Sequence, residues 1–442
     1  MLRELVVEDL FGEFTHSITF KTEDGLTLLH GPNGVGKTMT LRALDNLFNK
    51  RFGLLRSMPL RVLHVEFDNG DRLQVSKDFK EVREGNQVVV LEFIINPKAG
   101  RSHTWTYKPR TDLAIPLSAV EELIPEVTRT GAHTWVATTG ETLDIDDIVD
   151  RFGYRLPGPY RERESQAPPK WLDEILSRVP VYFIETDRLS TYGRGSTKRR
   201  PGNRDQVPTV SAYADDLSSR IQRTLASYAD SSQTLDSTFP ARLLQPDAFK
   251  VVPTDEEIRG RYADQAERRN RYVKTGLLDA GDQIQLPDRP LTNQVELRVL
   301  DTYLKDVDLK LDRLDDLAGK LELFLTIING KFRRKEIRVD REQGLLARTS
   351  TGQALALTSL SSGEQQEIVL AYGLLFREQP GTLVLLDEPE LSLHVTWQLD
   401  LIPDLLKISD LAKLEFLIAT HSPQIINDRW DLTVELSDDQ SN

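Results

Sequence analysis

Eight consecutive residues, 31–38, read GPNGVGKT and match the phosphate-binding pattern G-x-x-x-x-G-K-[ST] in full. The glycines allow the backbone to bend, so that successive N–H groups point into one concavity. Lys37 then reaches the β- and γ-phosphates of a nucleotide, and the Thr38 hydroxyl takes a Mg²⁺ position. The residues predicted to hold ATP here are Gly31, Pro32, Asn33, Gly34, Val35, Gly36, Lys37 and Thr38.

The residues on either side supply the elements that such a loop requires. Residues 26–30, LTLLH, are apolar and strand-like, and residues 39–48 have helical spacing, with Leu41, Leu44 and Leu47 on one side. A strand, a glycine turn and a helix N-terminus together favour an anion at the turn. The alternative, a glycine turn that binds nothing, does not explain this context.

A second acidic motif follows at residues 383–388, LVLLDE. Its four apolar residues predict a buried parallel strand with Asp387 at the carboxyl end, where open α/β sheets bind ligands. Asp387 is then a ligand in the Mg²⁺ shell, and Glu388 polarises the attacking water. A core strand followed by a solvated acidic turn would give the same letters, but the pairing with residues 31–38 favours the functional interpretation.

Residues 360–366, LSSGEQQ, precede an apolar helical stretch, and here the chain resembles the signature motif of ABC-type ATPases of the RecF, SMC and OLD-like branch. In this family the signature binds the γ-phosphate held by the opposite subunit, which assigns Ser361, Ser362, Gly363 and Glu364 to the nucleotide. A serine N-cap with a glutamate in the first turn gives the same pattern, and both interpretations can hold at once.

Two further segments fit the same resemblance. Residues 417–423, LIATHSP, resemble the family's switch strand, which implies that His421 contacts the γ-phosphate or the attacking water. Residues 390–394, ELSLH, match the D-loop position, which implies that Ser392 and His394 lie at a dimer interface. A polar cap on a strand is the alternative for a lone histidine.

The composition restricts the class of protein. The 442 residues contain no cysteine, 39% hydrophobic and 28% charged residues, and a net charge of −13. No apolar run has the length of a membrane span and no signal-peptide pattern begins the chain, so a cytoplasmic protein without a membrane partner is expected. The acidic balance argues against a protein that coats nucleic acid with its whole surface.

The predicted fold class is α/β: an ABC-type P-loop NTPase with a mixed central sheet, an antiparallel β-subdomain and a mostly helical insertion. We expect an N-terminal ATPase lobe at 1–110, including a hairpin around residues 68–71, and a C-terminal lobe at 335–442. The insertion, 111–334, contains a core strand near 180–189 that ends in Glu185, Asp187 and Arg188. It also contains a basic loop at 190–209, a second basic run at 268–274 and a leucine heptad at 300–325.

The resemblance also implies partners. The motifs require a homo-oligomer, a dimer or a higher ring, joined through shared ATP sites with Mg²⁺. OLD-like proteins often continue into a Toprim nuclease domain, which this sequence does not show, so a separately encoded Toprim-type effector nuclease is expected. The pattern is most similar to the ATPase families of the PARIS (AriA) and Septu anti-phage systems, which implies a phage-protein trigger. The alternative is a RecF-like DNA-repair ATPase, with nucleic acid bound through the basic loop 190–209.

Overall fold

The computed structural model describes residues 1–83, 86–108, 167–184, 209–244, 253–281, 285–391 and 395–437, with short stretches between 109 and 166. The chain packs as two compact units. The first comprises Met1–Thr186 and Gln379–Asn442, and the second comprises Asp187–Glu378. This division groups residues 335–378 with the helices, whereas the sequence prediction placed them in the C-terminal lobe. The predicted domain boundaries themselves stay a prediction.

The strands are numbered along the described chain. They are β1 (Leu2–Leu10), β2 (Phe14–Thr19), β3 (Leu26–His30), β4 (Val62–Phe67), β5 (Arg72–Arg83), β6 (Asn86–Asn96), β7 (His103–Tyr107), β8 (Val127–Arg129), β9 (Trp135–Ala137), β10 (Thr142–Leu143), β11 (Val181–Ile184), β12 (Lys335–Asp340), β13 (Gly344–Thr349), β14 (Ala354–Leu355), β15 (Leu383–Asp387), β16 (Glu415–Ala419) and β17 (Thr433–Glu435).

The helices are numbered in the same way. They are α1 (Lys37–Phe48), α2 (Phe52–Ser57), α3 (Lys170–Ser177), α4 (Thr209–Leu243), α5 (Asp255–Lys274), α6 (Gln294–Lys331), α7 (Ser362–Tyr372), α8 (Val395–Ala412) and α9 (Pro423–Ile426). A π-helical turn, Gly373–Arg377, continues α7. Within the described ranges, no helix is both long and apolar enough to cross a membrane.

A five-stranded sheet of order β11-β15-β16-β3-β17 forms the centre of the first unit. Its strands are short apolar runs, and every residue of β15 and β16 is buried, as expected where both faces of a sheet are covered. All four pairings are parallel, so the predicted mixed sheet is corrected to a parallel one. Antiparallel pairing is confined to the other sheets.

The antiparallel β-subdomain is a six-stranded sheet of order β2-β1-β4-β5-β6-β7 in the first unit. The predicted hairpin at residues 68–71 joins β4 to β5, and Gly70 there has φ 86°, which favours glycine. Strand β5 continues to Arg83. The fold class is therefore confirmed, apart from the strand direction in the central sheet.

The second unit contains the long helices and a small sheet, β12-β13-β14. The predicted heptad at 300–325 lies within α6, which is longer than predicted and packs against α4 and α5. Its leucines at 304, 311, 314 and 321 are fully or almost fully buried. The apolar stripe is thus used inside the chain.

The second basic run lies on α5, and acidic residues of α6 pair with two of its four cations. Arg268 donates to Asp312 at 2.8 Å and also to Asp315, and Arg271 donates to Glu322 at 2.7 Å. Arg261, about two turns before Arg268, contacts Asp301 at 2.7 Å. Arg268 and Arg271 are therefore held against α6, whereas Arg269 and Lys274 are exposed.

Candidate functional site

The phosphate loop, residues 31–36, lies between β3 and α1, as the motif predicts. Gly36 immediately precedes α1 in a left-handed conformation, φ 95°, and a Cβ atom there would lie 2.2 Å from the buried Leu10 side chain. Gly31 is equally constrained, since its Cβ would lie 2.2 Å from the carbonyl oxygen of Leu436. The glycines at these two positions are therefore required by close packing as well as by backbone conformation.

The side chain of Lys37 is folded back onto the loop. Its Nζ donates to the carbonyl oxygens of Gly31 and Pro32, at 2.9 and 2.8 Å, and lies 3.3 Å from Nδ1 of His421. Burial lowers the pKa of Lys37, while the carboxylates of Glu388, Asp387 and Glu390 act in the opposite direction. The three ammonium protons are thus directed at protein acceptors, which phosphate oxygens would have to replace.

Thr38 and Asp387 meet at the start of α1 and the end of β15. The Thr38 hydroxyl donates to Oδ1 of Asp387 at 3.0 Å. Asp387 is only 8% exposed, and burial raises the pKa of its carboxyl group. A hydroxyl and a carboxylate placed side by side are oxygen ligands of the kind that Mg²⁺ prefers, usually with substrate phosphates completing its shell. The residues present therefore fit the predicted metal.

Glu388 follows β15 and faces the predicted switch histidine. It adopts a left-handed backbone, φ 43°, and its N–H donates to the Ala419 carbonyl at 2.9 Å. Its Oε1 lies 3.6 Å from Nε2 of His421, and both side chains are about one third exposed. An ammonium group only donates, so Nδ1 of His421 accepts from Lys37 and Nε2 carries the proton that faces Glu388.

Glu390 is a site residue to which the sequence assigned no role. Its carboxylate accepts from the Thr420 hydroxyl at 3.0 Å to each oxygen, and from the His421 backbone N–H at 2.8 Å. It therefore fixes the end of the strand that presents the His421 ring. Its place in the ELSLH segment pointed to a functional role, but its hydrogen-bond partners, Thr420 and His421, lie about thirty residues later in the chain.

His16, on β2, was also missed. Its Nε2 lies 2.6 Å from the carbonyl oxygen of Val35, inside the phosphate loop, and the ring is 4% exposed. The ring stacks on Phe14. A buried histidine in an otherwise alternating strand was the available signal, and its contact supports the loop backbone.

The signature residues lie in the second unit, at the start of α7. Ser361 caps the helix, and Glu364 returns to the Ser361 N–H at 2.8 Å, which completes a capping box. Lys335 donates to both Glu364 oxygens, at 3.0 and 2.8 Å. The capping alternative is therefore observed, and it leaves Ser362 and Gly363 in the first turn of the helix.

The structure thus brings Lys37, Thr38, Asp387, Glu388 and His421 together in the first unit, and it places Ser361, Ser362, Gly363 and Glu364 in the second. Several predicted residues lie outside the described ranges: Ser392 and His394 of the D-loop segment, Glu185, Asp187, Arg188, and the basic loop except for Thr209.

Among solved structures the chain is similar to SMC head domains. The head domain from Thermotoga maritima is 13% identical, with 98% of this chain and 94% of that chain covered and a TM-score of 0.33. The Smc head with an extended coiled coil from Pyrococcus furiosus is 14% identical, with 96% and 90% covered and a TM-score of 0.32. These TM-scores are low. The comparison with curated proteins gives no match.

Residues 151–427 match the family described as "AAA domain, putative AbiEii toxin, Type IV TA system". The matched range includes the signature, Asp387 and His421, and the phosphate loop precedes it. Because the match spans more than half of the chain, the protein belongs to this family of P-loop NTPases.

Proposed function

We propose that the chain is an ABC-type ATPase that binds and hydrolyses ATP at sites shared between copies, and that its assembly controls a separate effector. One observation carries the ATPase assignment: a phosphate-loop lysine, an adjacent hydroxyl–carboxylate pair and a glutamate–histidine pair converge at the ends of β3, β15 and β16. These are the groups that phosphoryl transfer to water requires.

Each group has a separate role in the proposal. Lys37 and the loop backbone would hold the phosphates, and Thr38 and Asp387 would hold Mg²⁺, which supplies positive charge that offsets the charge on the phosphates. Glu388 orients and polarises the attacking water. His421, which lies between Lys37 and Glu388, donates its Nε2 proton toward the phosphate or the water.

The signature residues complete the site from another copy in this proposal. Ser361, Ser362 and Gly363 lie at the N-terminus of an eleven-residue helix, where N–H groups and the helix dipole favour an anion. ATP would then join two copies, and hydrolysis would release them. A dimer or a closed ring follows from the same contact.

The biological role that we propose is anti-phage defence in the cytoplasm. The family description, which refers to an AbiEii toxin and a type IV toxin–antitoxin system, supports a defence-associated role. The finer assignment is a sensor of a phage protein that controls a separately encoded Toprim-type nuclease. It rests on the resemblance of three motifs, GPNGVGKT, LSSGEQQ and LVLLDE, to those of the PARIS and Septu ATPases.

The experiment is a mass measurement by light scattering on the full-length Glu388→Gln variant. The variant retains the shape of the side chain but cannot polarise water, so it is expected to trap the ATP-bound assembly. Samples contain no nucleotide, ATP with Mg²⁺, or ATP with Mg²⁺ and duplex DNA. Lys37→Ala is the matched control, because it removes the phosphate contact and should abolish nucleotide binding and ATP-dependent assembly.

Each outcome decides between specific alternatives. A large closed assembly that forms regardless of DNA supports a scaffold that holds an effector. A monomer that becomes a dimer only with ATP, and binds DNA when it does, supports the RecF-like repair ATPase instead. If Glu388→Gln hydrolyses ATP at the wild-type rate, Glu388 is not the residue that activates water.

A further inference from the structure

A basic cleft opens at one end of the β12–β13 hairpin, in the second unit. It has a volume of about 310 Å³, and four of its lining residues are cationic: Arg334, Lys335, Arg338 and Arg348. Such a concentration of positive charge is unexpected in a chain with a net charge of −13. It also lies far along the chain from the basic loop 190–209 that the sequence singled out.

Acidic neighbours neutralise only half of this charge. Arg338 pairs with Glu336 at 2.9 Å, and Lys335 pairs with Glu364 of the signature helix at 2.8 Å. Arg334 and Arg348 are exposed, and neither has an acidic side chain within ion-pair distance in the part of the chain that the structure describes. Two guanidinium groups therefore remain available to an anionic ligand.

The hairpin carries Arg338 and Arg348 on one face, whereas Lys335 lies on the face of Ile337. Arg348 lies opposite Glu336 in the register, so Arg338, two residues further along β12, is its diagonal neighbour on the same face. The opposite face, which carries Ile337 and Ala347, is buried.

The remaining lining residues distinguish between classes of ligand. Thr349, Ser350 and Gly352 lie beside the cations, Glu336 is the acidic member of the lining, and no aromatic or aliphatic residue lines the cleft within the described ranges. Single-stranded nucleic acid is bound mainly by stacking on aromatic rings, and protein partners are usually anchored by buried aromatic or apolar side chains. Arginine and hydroxyl groups without either feature match the contacts made to phosphate oxygens.

We propose that this cleft binds the phosphate backbone of duplex nucleic acid, without reading its sequence. Lys335 connects the cleft to the signature. Its ammonium group donates to Glu364, and the Glu364 carboxylate in turn accepts hydrogen bonds from Ser361, the N-cap residue of the signature helix. A phosphate on Lys335 competes with Glu364 for these protons. This connection to ATP rests on the proposed function, whereas binding to the cleft does not.

The test is fluorescence anisotropy with a labelled 20-base-pair duplex and the full chain, without ATP, at several salt concentrations. Arg334→Glu/Arg348→Glu is expected to weaken binding at least tenfold and to reduce the salt slope by about two, one for each lost phosphate contact. Arg313→Glu is the matched control: an exposed arginine of the same unit, roughly 27 Å along α6 from its end at 1.5 Å per residue.

Unlabelled duplex, single strand, polyphosphate and poly-glutamate are then added as competitors. Competition by duplex ahead of poly-glutamate supports the proposal. Equal affinity of the double variant and wild type overturns it, since the duplex would then bind elsewhere. A complete absence of duplex binding at low salt, or preferential binding of poly-glutamate, overturns it as well. Because no ATP is present, a failure here leaves the Glu388→Gln experiment unaffected.

Discussion

At the scale of single residues, the site is organised by the hydrogen bonds and ion pairs of its charged side chains. Three carboxylates, those of Asp387, Glu388 and Glu390, act on the ammonium group of Lys37. The Glu390 carboxylate accepts hydrogen bonds from the Thr420 hydroxyl and from the His421 backbone N–H. Asp387 and Glu388 are each close to one partner and remain open to a metal ion or a water molecule.

Glu390 is predicted to be a positioning residue for His421. Replacing it with alanine removes the acceptor for the Thr420 hydroxyl and the His421 N–H, so the ring should lose its fixed direction. The expected result is a decrease in kcat of about tenfold, the scale of one charge-assisted hydrogen bond, with nucleotide affinity nearly unchanged. Steady-state ATPase kinetics and fluorescent-nucleotide binding measure the two quantities.

The control for Glu390→Ala is Glu13→Ala, an exposed carboxylate in the turn between β1 and β2. It should leave both kcat and affinity unchanged. A rise in KM with unaltered kcat in Glu390→Ala would contradict the positioning role, because it would show that Glu390 acts on binding.

Asp387 gives a pH-dependent prediction. Burial raises its pKa above the usual 3.8, so the folded chain holds this proton more tightly than the unfolded chain. The resulting stability is present below the unfolded pKa and is lost as pH rises through the folded value. At pH 7 the buried charge therefore destabilises the metal-free fold, and Asp387→Asn, which keeps an acceptor for Thr38, should raise Tm.

Thermal unfolding between pH 4 and 8, without Mg²⁺, measures this effect. The gain in Tm should be largest at neutral pH and should shrink as the pH falls. Asp431→Asn is the contrasting control, because the hydrogen bond from Arg429 lowers the pKa of Asp431 and its neutralisation should not stabilise the fold. A gain for Asp387→Asn that is independent of pH would exclude the titration of this carboxyl group as its cause.

At the scale of elements, two ion pairs hold the signature helix α7 to the end of α6 and to the start of β12. Glu364 is held by Lys335, and Glu367, one turn later on α7, is held by the buried Lys331 at the end of α6. Asn329 adds a hydrogen bond to the Ile337 carbonyl at 2.9 Å. The orientation of α7 therefore depends on where α6 ends and the hairpin begins.

The hairpin itself depends on one close approach of backbone to backbone. Gly344 has φ 74°, and a Cβ there would lie 1.9 Å from the Ala214 carbonyl oxygen of α4. Gly344→Ala should therefore destabilise the chain by about 1–2 kcal/mol for the left-handed backbone and by a further 1–3 kcal/mol for the overlap. Denaturant unfolding of the full chain measures the difference.

Gly352→Ala is a matched control for this prediction. Gly352 has φ 85° but nothing within 4 Å of its Cβ position, so alanine there adds the backbone term alone. Equal destabilisation by the two substitutions would mean that α4 moves away without cost, and that the approach to Ala214 does not hold the hairpin.

At the scale of the whole molecule, the two ends of the chain form one sheet. Strand β3, which leads into the phosphate loop, lies between β16 and β17, and its only parallel neighbours in the described sheet come from the last part of the chain. The phosphate loop therefore cannot be positioned by the N-terminal segment alone.

A fragment of residues 1–186 is predicted to be insoluble or to bind no nucleotide, because β3 and β11 lose their strand partners. Co-expression with residues 187–442 should restore binding, which a fluorescent ATP analogue measures. Binding by fragment 1–186 alone, with the affinity of the full chain, would show that the parallel sheet is not needed to form the loop.

The sequence by itself determined the local chemistry and the elements that carry it. The phosphate loop, the strand that ends in Asp387, the signature cap and the α6 stripe were predictable because each is encoded by residues adjacent in the chain or on one helix face. The tertiary structure alone decided which groups meet: Lys37 and His421 are separated by 384 positions, and Thr38 and Asp387 by 349. It also made the central sheet parallel, paired two cations of the basic run on α5 with acidic residues of α6, and gathered the cations of the β12–β13 hairpin into one cleft. Those outcomes depend on long-range pairing, whose free energy no local pattern records.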